Sequence, residues 1–204
     1  MNLVILPKSN ELLDIAFRKA RKESAMLKSQ RNRIKDAKGK SIRRIEVSGN
    51  YVAETLRKAV EGFPSMRETS PFYSELITAT IDVGKTLKAL GHMTAERRII
   101  LRLKGQAIGR IKGLEKTEAK KAAGIVREYY GRLSNLVKKL VKSIETYNQA
   151  ARTLKELPKI KPGLPTAIIA GCPNTGKSTI LGKADQKQAK GCFVSFYNTK
   201  APNR

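Results

Sequence analysis

The chain has 204 residues, 42 Lys and Arg against 17 Asp and Glu, and a formal net charge of +25. That length admits one or two domains, and 40% apolar residues can build a core, which argues against wholesale disorder. No window approaches the roughly 18 apolar residues of a membrane span, two cysteines leave no disulfide scaffold and fit a reducing compartment, and 5% aromatics with no Trp weaken any scheme of stacked single-stranded bases.

The N-terminal run MNLVILPKSNELLD lacks a basic region ahead of its apolar stretch, so it does not read as a secretory signal. Ser9 follows Pro7 as an expected N-cap, and Leu12, Leu13, Ala16, Phe17 and Ala20 recur at three and four. Residues 10–22 therefore read as a first helix. Arg18, Lys19, Arg21, Lys22, Lys28, Arg31, Arg33, Lys35, Lys38, Lys40, Arg43 and Arg44 then crowd one stretch against only Glu23 and Asp36. Such density repels itself unless a polyanion neutralises it. The bland reading is a solvated charged face; the sharper one is a footprint for a nucleic-acid backbone. A membrane surface is the lesser alternative, because the run lacks the apolar face of an interfacial helix. As far as Lys40 the stretch is either a mobile arm or a helix that orders on RNA.

Ile42, Ile45, Val52, Leu56 and Val60 give a second helical face, ending near Gly62-Phe63-Pro64. Ser70-Pro71 starts a third helix with Phe72, Leu76 and Ile77: Ser caps and Pro takes the first turn. Gly84 to Gly91 loosens the pattern, and Thr94 opens a fourth helix carrying Ile99, Ile100, Leu103, Ala107, Ile108 and Ile111. A fifth, long helix runs from Val126 to Leu154 on alternating steps of three and four, with Lys and Arg on its other face. Its tyrosines read as packing groups rather than base-stacking groups. His92 is the only histidine. Beside Gly91 it reads as a surface or loop residue, with no Ser/His/Asp set and no zinc cluster around it.

Pro158, Pro162, Gly163 and Pro165 mark a boundary. Thr166 to Ala170 then reads as a short buried strand. Gly171-Cys172-Pro173-Asn174-Thr175-Gly176-Lys177-Ser178 matches G-x-x-x-x-G-K-S/T at every fixed position. In such a loop, glycines let the backbone curl so that successive N–H groups meet phosphate oxygens, and the helix that follows adds its dipole. Lys177 would reach the β- and γ-phosphates, and the Ser178 hydroxyl would bind Mg²⁺. The opposing reading is a chance Gly/Lys match in a Lys-rich chain. Only 26 residues follow Ser178, and one strand cannot make a sheet, so this part reads as incomplete.

These stretches resemble the nucleolar GTP-binding protein family (Nog-type, of the Obg group of GTPases). The matching residues are Phe63-Pro64, Ser70-Pro71-Phe72-Tyr73-Ser74-Glu75-Leu76, Leu154 to Pro158, and Ala170 to Thr179. The family usually has Tyr or a similar residue at Cys172 and Val at Thr175. The resemblance implies an N-terminal helical domain followed by a GTPase domain, with Gly171 to Thr179 around the phosphates of GTP. It implies Thr199 as a switch threonine that joins Ser178 in sensing Mg²⁺, and Asn174 as a K⁺ ligand. It implies a role in large ribosomal subunit assembly, with precursor ribosomal RNA as partner and ribosomal proteins as further partners. The location implied is the nucleolus in a eukaryote and the cytoplasm in an archaeon.

The expected fold is mainly α. An antiparallel helical bundle over 1–160 is followed, over 161–204, by a truncated P-loop α/β segment of strand, P-loop and helix. Two functions are carried forward. One is a GTP-binding ribosome-assembly protein; the other is a truncated, catalytically inactive RNA-binding helical module. Either way, GTP turnover by this chain is expected to be absent or very slow.

Overall fold

A computed structural model describes residues 3–27, 33–65, 70–115, 119–157, 169 and 175–185. The chain divides into two compact units, 1–156 and 157–204. The described residues of the first form six helices: α1 (Ser9–Ala25), α2 (Arg33–Gly62), α3 (Pro71–Thr80), α4 (Val83–Lys112), α5 (Ala119–Lys139) and α6 (Val141–Glu156). The described part of the second holds α7 (Lys177–Asp185). Among the described residues there is no strand, and no helix is long and apolar enough to cross a membrane.

The bundle is antiparallel, as its cross-links show. Glu23 meets Arg43 and Lys19 meets Tyr51, so α1 and α2 run in opposite directions. Lys104 meets Asn50, and Arg97 meets the Ala53 carbonyl, so α2 and α4 do the same. Arg110 with Glu128 and His92 with Ser143 give the same order for α4 against α5 and α6. The stripes read from the sequence close on one another. Leu12, Ile45, Leu56, Ile100, Ile111, Leu133, Leu140 and Tyr147 are fully buried, each worth roughly 1.5–3 kcal/mol in transfer from water.

Several expectations are corrected. Ser9 is not the cap of α1 but its first helical residue; Lys8 takes the cap position, and its N–H donates to the Glu11 carboxylate at 3.3 Å. Of the two readings of the basic stretch, arm or helix, the described part from Arg33 is helix: it opens α2 and is braced by the Lys40–Asp36 pair at 2.7 Å. Ser70 holds the cap position of α3 without a side-chain hydrogen bond. α4 starts eleven residues before the expected Thr94, because the Asp82 carboxylate accepts from the Lys85 N–H at 2.9 Å and stabilises a first turn that Gly84 alone would disfavour.

The long fifth helix is two helices, α5 and α6. At Leu140 the N–H turns to the Val137 carbonyl at 3.0 Å, a tighter i to i−3 link. The buried stripe runs through this point, from Val137 and Leu140 to Ile144. Of the expected strand Thr166 to Ala170, only Ile169 is among the described residues. There it is exposed and in no strand; an extended segment needs a partner strand, and the described residues of this unit offer only α7.

An extended segment, Leu3 to Lys8, lies against α6. Asn148 accepts from the Leu6 N–H and donates to the Leu6 carbonyl, both at 2.8 Å, and the Tyr147 hydroxyl donates to the Val4 carbonyl at 2.9 Å. These bonds satisfy a backbone that belongs to no helix.

Candidate functional site

In the second unit the chain passes from loop to helix at Gly176. Its φ of +76° is left-handed, and a Cβ there would meet nothing within 4 Å. Only glycine takes that conformation without strain. The Gly176 carbonyl accepts from the Thr179 N–H at 3.0 Å and the Ile180 N–H at 3.1 Å, so α7 grows directly from the loop. Lys177 Nζ donates to Thr175 Oγ1 at 3.2 Å. Ser178 and Thr179 stand exposed in the first turn, where a helix has N–H groups without helical acceptors. A left-handed glycine, a lysine and an exposed serine at such an end fit a phosphate group. Gly171, Cys172, Pro173, Asn174 and Thr199 lie outside the described residues, as does Cys192.

In the first unit the twelve expected RNA-binding residues divide by what they touch. Lys28 and Arg31 lie outside the described residues, and Arg33 contributes its backbone to α2. On α2, the Arg43 guanidinium reaches Glu23 at 2.5 Å and Glu46 at 3.9 Å. Arg44 Nε donates to Ser24 Oγ at 3.1 Å, and the Lys38 ammonium donates to the Leu114 carbonyl. Lys40 pairs with Asp36, while Lys35 is exposed. On α1, Lys19 Nζ lies 4.2 Å from the centre of the Tyr51 ring. Much of the positive run therefore ties α1 to α2. Exposed pairs of this kind are worth about 0–1 kcal/mol, so these acids compete with a phosphate without forbidding one.

Arg18, Arg21 and Lys22 remain. They share one exposed face of α1, and none is in an ion pair among the described residues. The same face carries Glu11 and Asp14 nearer its start, an arrangement that also suits the helix dipole. Beside it, the Phe17 and Tyr130 rings pack at 4.3 Å between centroids. Burial pushes the Tyr130 phenol up, and the Arg44 guanidinium offsets part of that.

One arrangement escaped the sequence. His92 is not in a loop but inside α4, and its Nδ1 lies 2.8 Å from Ser143 Oγ on α6. Its Nε2 lies 3.6 Å from Glu96 Oε1. Glu96 is 6% exposed, and its Oε2 has no hydrogen-bond partner. Ser, His and Glu thus meet where no such set was expected. His92 and Glu96 sit within α4, and Ser143 stands in the first turn of α6. The signal in sequence was the spacing of Met93, Glu96 and Ile100, which puts the glutamate on the buried stripe of α4.

Residues 1–161 match the family described as NOG1 N-terminal helical domain. The chain is 27% identical to nucleolar GTP-binding protein 1 of Encephalitozoon cuniculi over 178 residues, 87% of this chain and 33% of that protein. It is 27% identical to nucleolar GTP-binding protein 1 of Caenorhabditis elegans over 199 residues, 98% of this chain and 29% of that protein. It is 26% identical to an uncharacterized protein of Methanocaldococcus jannaschii over 185 residues, 90% of this chain and 51% of that protein. The chain thus spans between about a third and a half of the length of these relatives. A basic antiparallel bundle matched from its first residue to just beyond α6 places the chain in the NOG1 N-terminal helical domain family.

Proposed function

We propose that this chain is the RNA-docking part of a GTP-binding protein that acts in large ribosomal subunit assembly. Residues 1–160 form a basic helical domain that binds precursor ribosomal RNA, and residues 161–204 open a GTPase domain. The carrying observation is the outward face of α1, where Arg18, Arg21 and Lys22 stand exposed and outside any ion pair among the described residues, in a chain of net charge +25. Arginine and lysine so placed contact phosphates and release counterions, a source of affinity that carries no sequence information. The Arg43–Glu23 pair and the Arg44–Ser24 hydrogen bond hold α1 and α2 in the register that presents this face.

GTP is the ligand proposed for the second unit. Lys177 would neutralise its outer phosphates, and Ser178 and Thr199 would hold Mg²⁺, which spreads the developing charge in phosphoryl transfer. Asn174 would hold K⁺. The relatives' name supports a nucleolar place in a eukaryote, with the cytoplasm as the archaeal counterpart.

The test is binding of the chain to transcribed fragments of large-subunit ribosomal RNA. Replacing Arg18, Arg21 and Lys22 by Glu should abolish binding while the helical spectrum stays intact. Undiminished binding by that folded variant contradicts the reading.

A further inference from the structure

α3 has little to hold it. It is 10 residues long and buries only Ile77. An isolated helix shorter than about 12–15 residues is marginal in water, and the Phe, Tyr, Ile and Thr that make up much of this one are middling helix formers.

Its outward side is apolar. Phe72, Leu76 and Ala79 follow one another at steps of four and three and share one face, turned away from Ile77. Phe72 is 43% exposed, Ala79 is exposed and Leu76 is half-buried. The exposed Thr78 and Thr80 donate their hydroxyls to the Ser74 and Leu76 carbonyls, both at 2.8 Å. Those hydroxyls are engaged within the helix, so the threonines offer a visitor chiefly their methyl groups.

Charge is the second observation. From Glu68 to Gly84 runs the longest stretch of this sequence without a lysine or arginine, and Glu68, Glu75 and Asp82 lie within it. Asp82 is engaged by Lys85. Glu75 is exposed on α3 and is in no ion pair among the described residues. At physiological salt, exposed charges act over about 8 Å. Local charge, and not the +25 of the whole chain, therefore decides what α3 accepts.

We propose that the outward face of α3 docks an amphipathic helix of a basic protein. The apolar stripe of that helix lies on Phe72, Leu76 and Ala79, and a lysine or arginine beside the stripe pairs with Glu75. Phe72 is the anchor, since aromatic residues are enriched in protein interfaces. The proposal is independent of the RNA-docking reading, because α3 offers a phosphate backbone no cation. A second copy of this chain is the rival occupant, and α3 against α3 would set one Glu75 against another. A helix of 10 residues is about 15 Å long, too short for a standard interface, so the contact is a weak and transient one.

The test uses the whole chain and two synthetic helical peptides. Both carry a stripe of leucines at helical spacing, flanked by lysines in one and by glutamates in the other. Amide hydrogen exchange across residues 71–80 is the readout. The lysine peptide should slow exchange there, because it packs on a helix that is otherwise poorly supported. The double variant Glu75→Lys, Ala79→Lys changes two exposed positions. It should keep its helical spectrum and bind the lysine peptide at least several-fold more weakly. The glutamate peptide should leave exchange in α3 unchanged, wherever else the basic chain attracts it. Unchanged exchange with the lysine peptide, equal protection by both peptides, or equal affinity in the double variant overturns the proposal. Self-association of the peptide-free chain that protects α3 and is lost in the double variant assigns the face to a second copy and also overturns it.

Discussion

The hydroxyl of Tyr129 occupies the place where a side chain on Gly49 would begin: a Cβ at Gly49 would lie 2.5 Å from that oxygen, with the Lys104 stem at 3.3 Å on the other side. α2, α4 and α5 meet here, and Gly49 is buried within α2. The Tyr129 hydroxyl is buried and, although Ser48 lies beside it, has no well-formed hydrogen bond. Burial pushes its phenol well above the usual range. Gly49 is thus a glycine required by packing.

Gly49→Ala should therefore destabilise the bundle by about 1–3 kcal/mol through overpacking. Tyr129→Phe should be nearly neutral, because it removes a buried hydroxyl that lacks a good partner. The double variant should recover much of the alanine cost. Urea unfolding of all four proteins measures the coupling, and strictly additive losses would show that the two residues do not share this space.

Tyr129, Tyr130 and Tyr147 all have phenols pushed up by burial from an ordinary value of 10.0. The folded state thus holds protons that the unfolded chain releases near pH 10. Their contribution to stability is fully present below the unfolded value and falls as pH rises above it. Tyrosinate absorbance followed beside helical signal in an alkaline titration should show these phenols ionising together with unfolding. Ionisation of all six tyrosines near pH 10 with the helices intact would contradict the burial.

The Asp82 carboxyl is held below the usual carboxylate range, first by the Lys85 N–H and then by the Lys85 ammonium. Its stabilising effect is present above the unfolded value and is lost as pH falls through the lower folded value. Asp82→Ala should lower stability at neutral pH and fray the first turn of α4. Amide exchange at Lys85 and Thr86 reads this directly; unchanged protection would remove Asp82 as the reason α4 starts at Val83.

Periodicity made the bundle legible, because the apolar steps of α1, α2 and the α5–α6 pair are regular. The start of α4 was hidden because Gly84 and Gly91 resemble a linker, while the single aspartate that caps the helix carries little weight in a pattern. The turn at Leu140 has no Gly or Pro to announce it. In the candidate sites, the positive run was visible as composition. Its division into cations that join α1 to α2 and cations that face outward was not, since Arg43–Glu23 and Arg44–Ser24 are tertiary contacts. The meeting of His92 with Ser143 was invisible for the same reason. Only the end of the expected phosphate-binding motif, from Thr175 to Thr179, falls within the described residues.

The salt dependence of RNA binding tests the central claim most directly. Affinity of the chain for a large-subunit ribosomal RNA fragment should fall linearly on a log–log plot against salt, with about 0.9 per phosphate neutralised. Replacing Arg18, Arg21 and Lys22 by Gln should reduce that slope by up to about three, whereas replacing Lys40 and Arg43, which are already paired with acids, should change it little. A slope near zero for the wild-type chain, or an equal slope in all three proteins, would contradict the account.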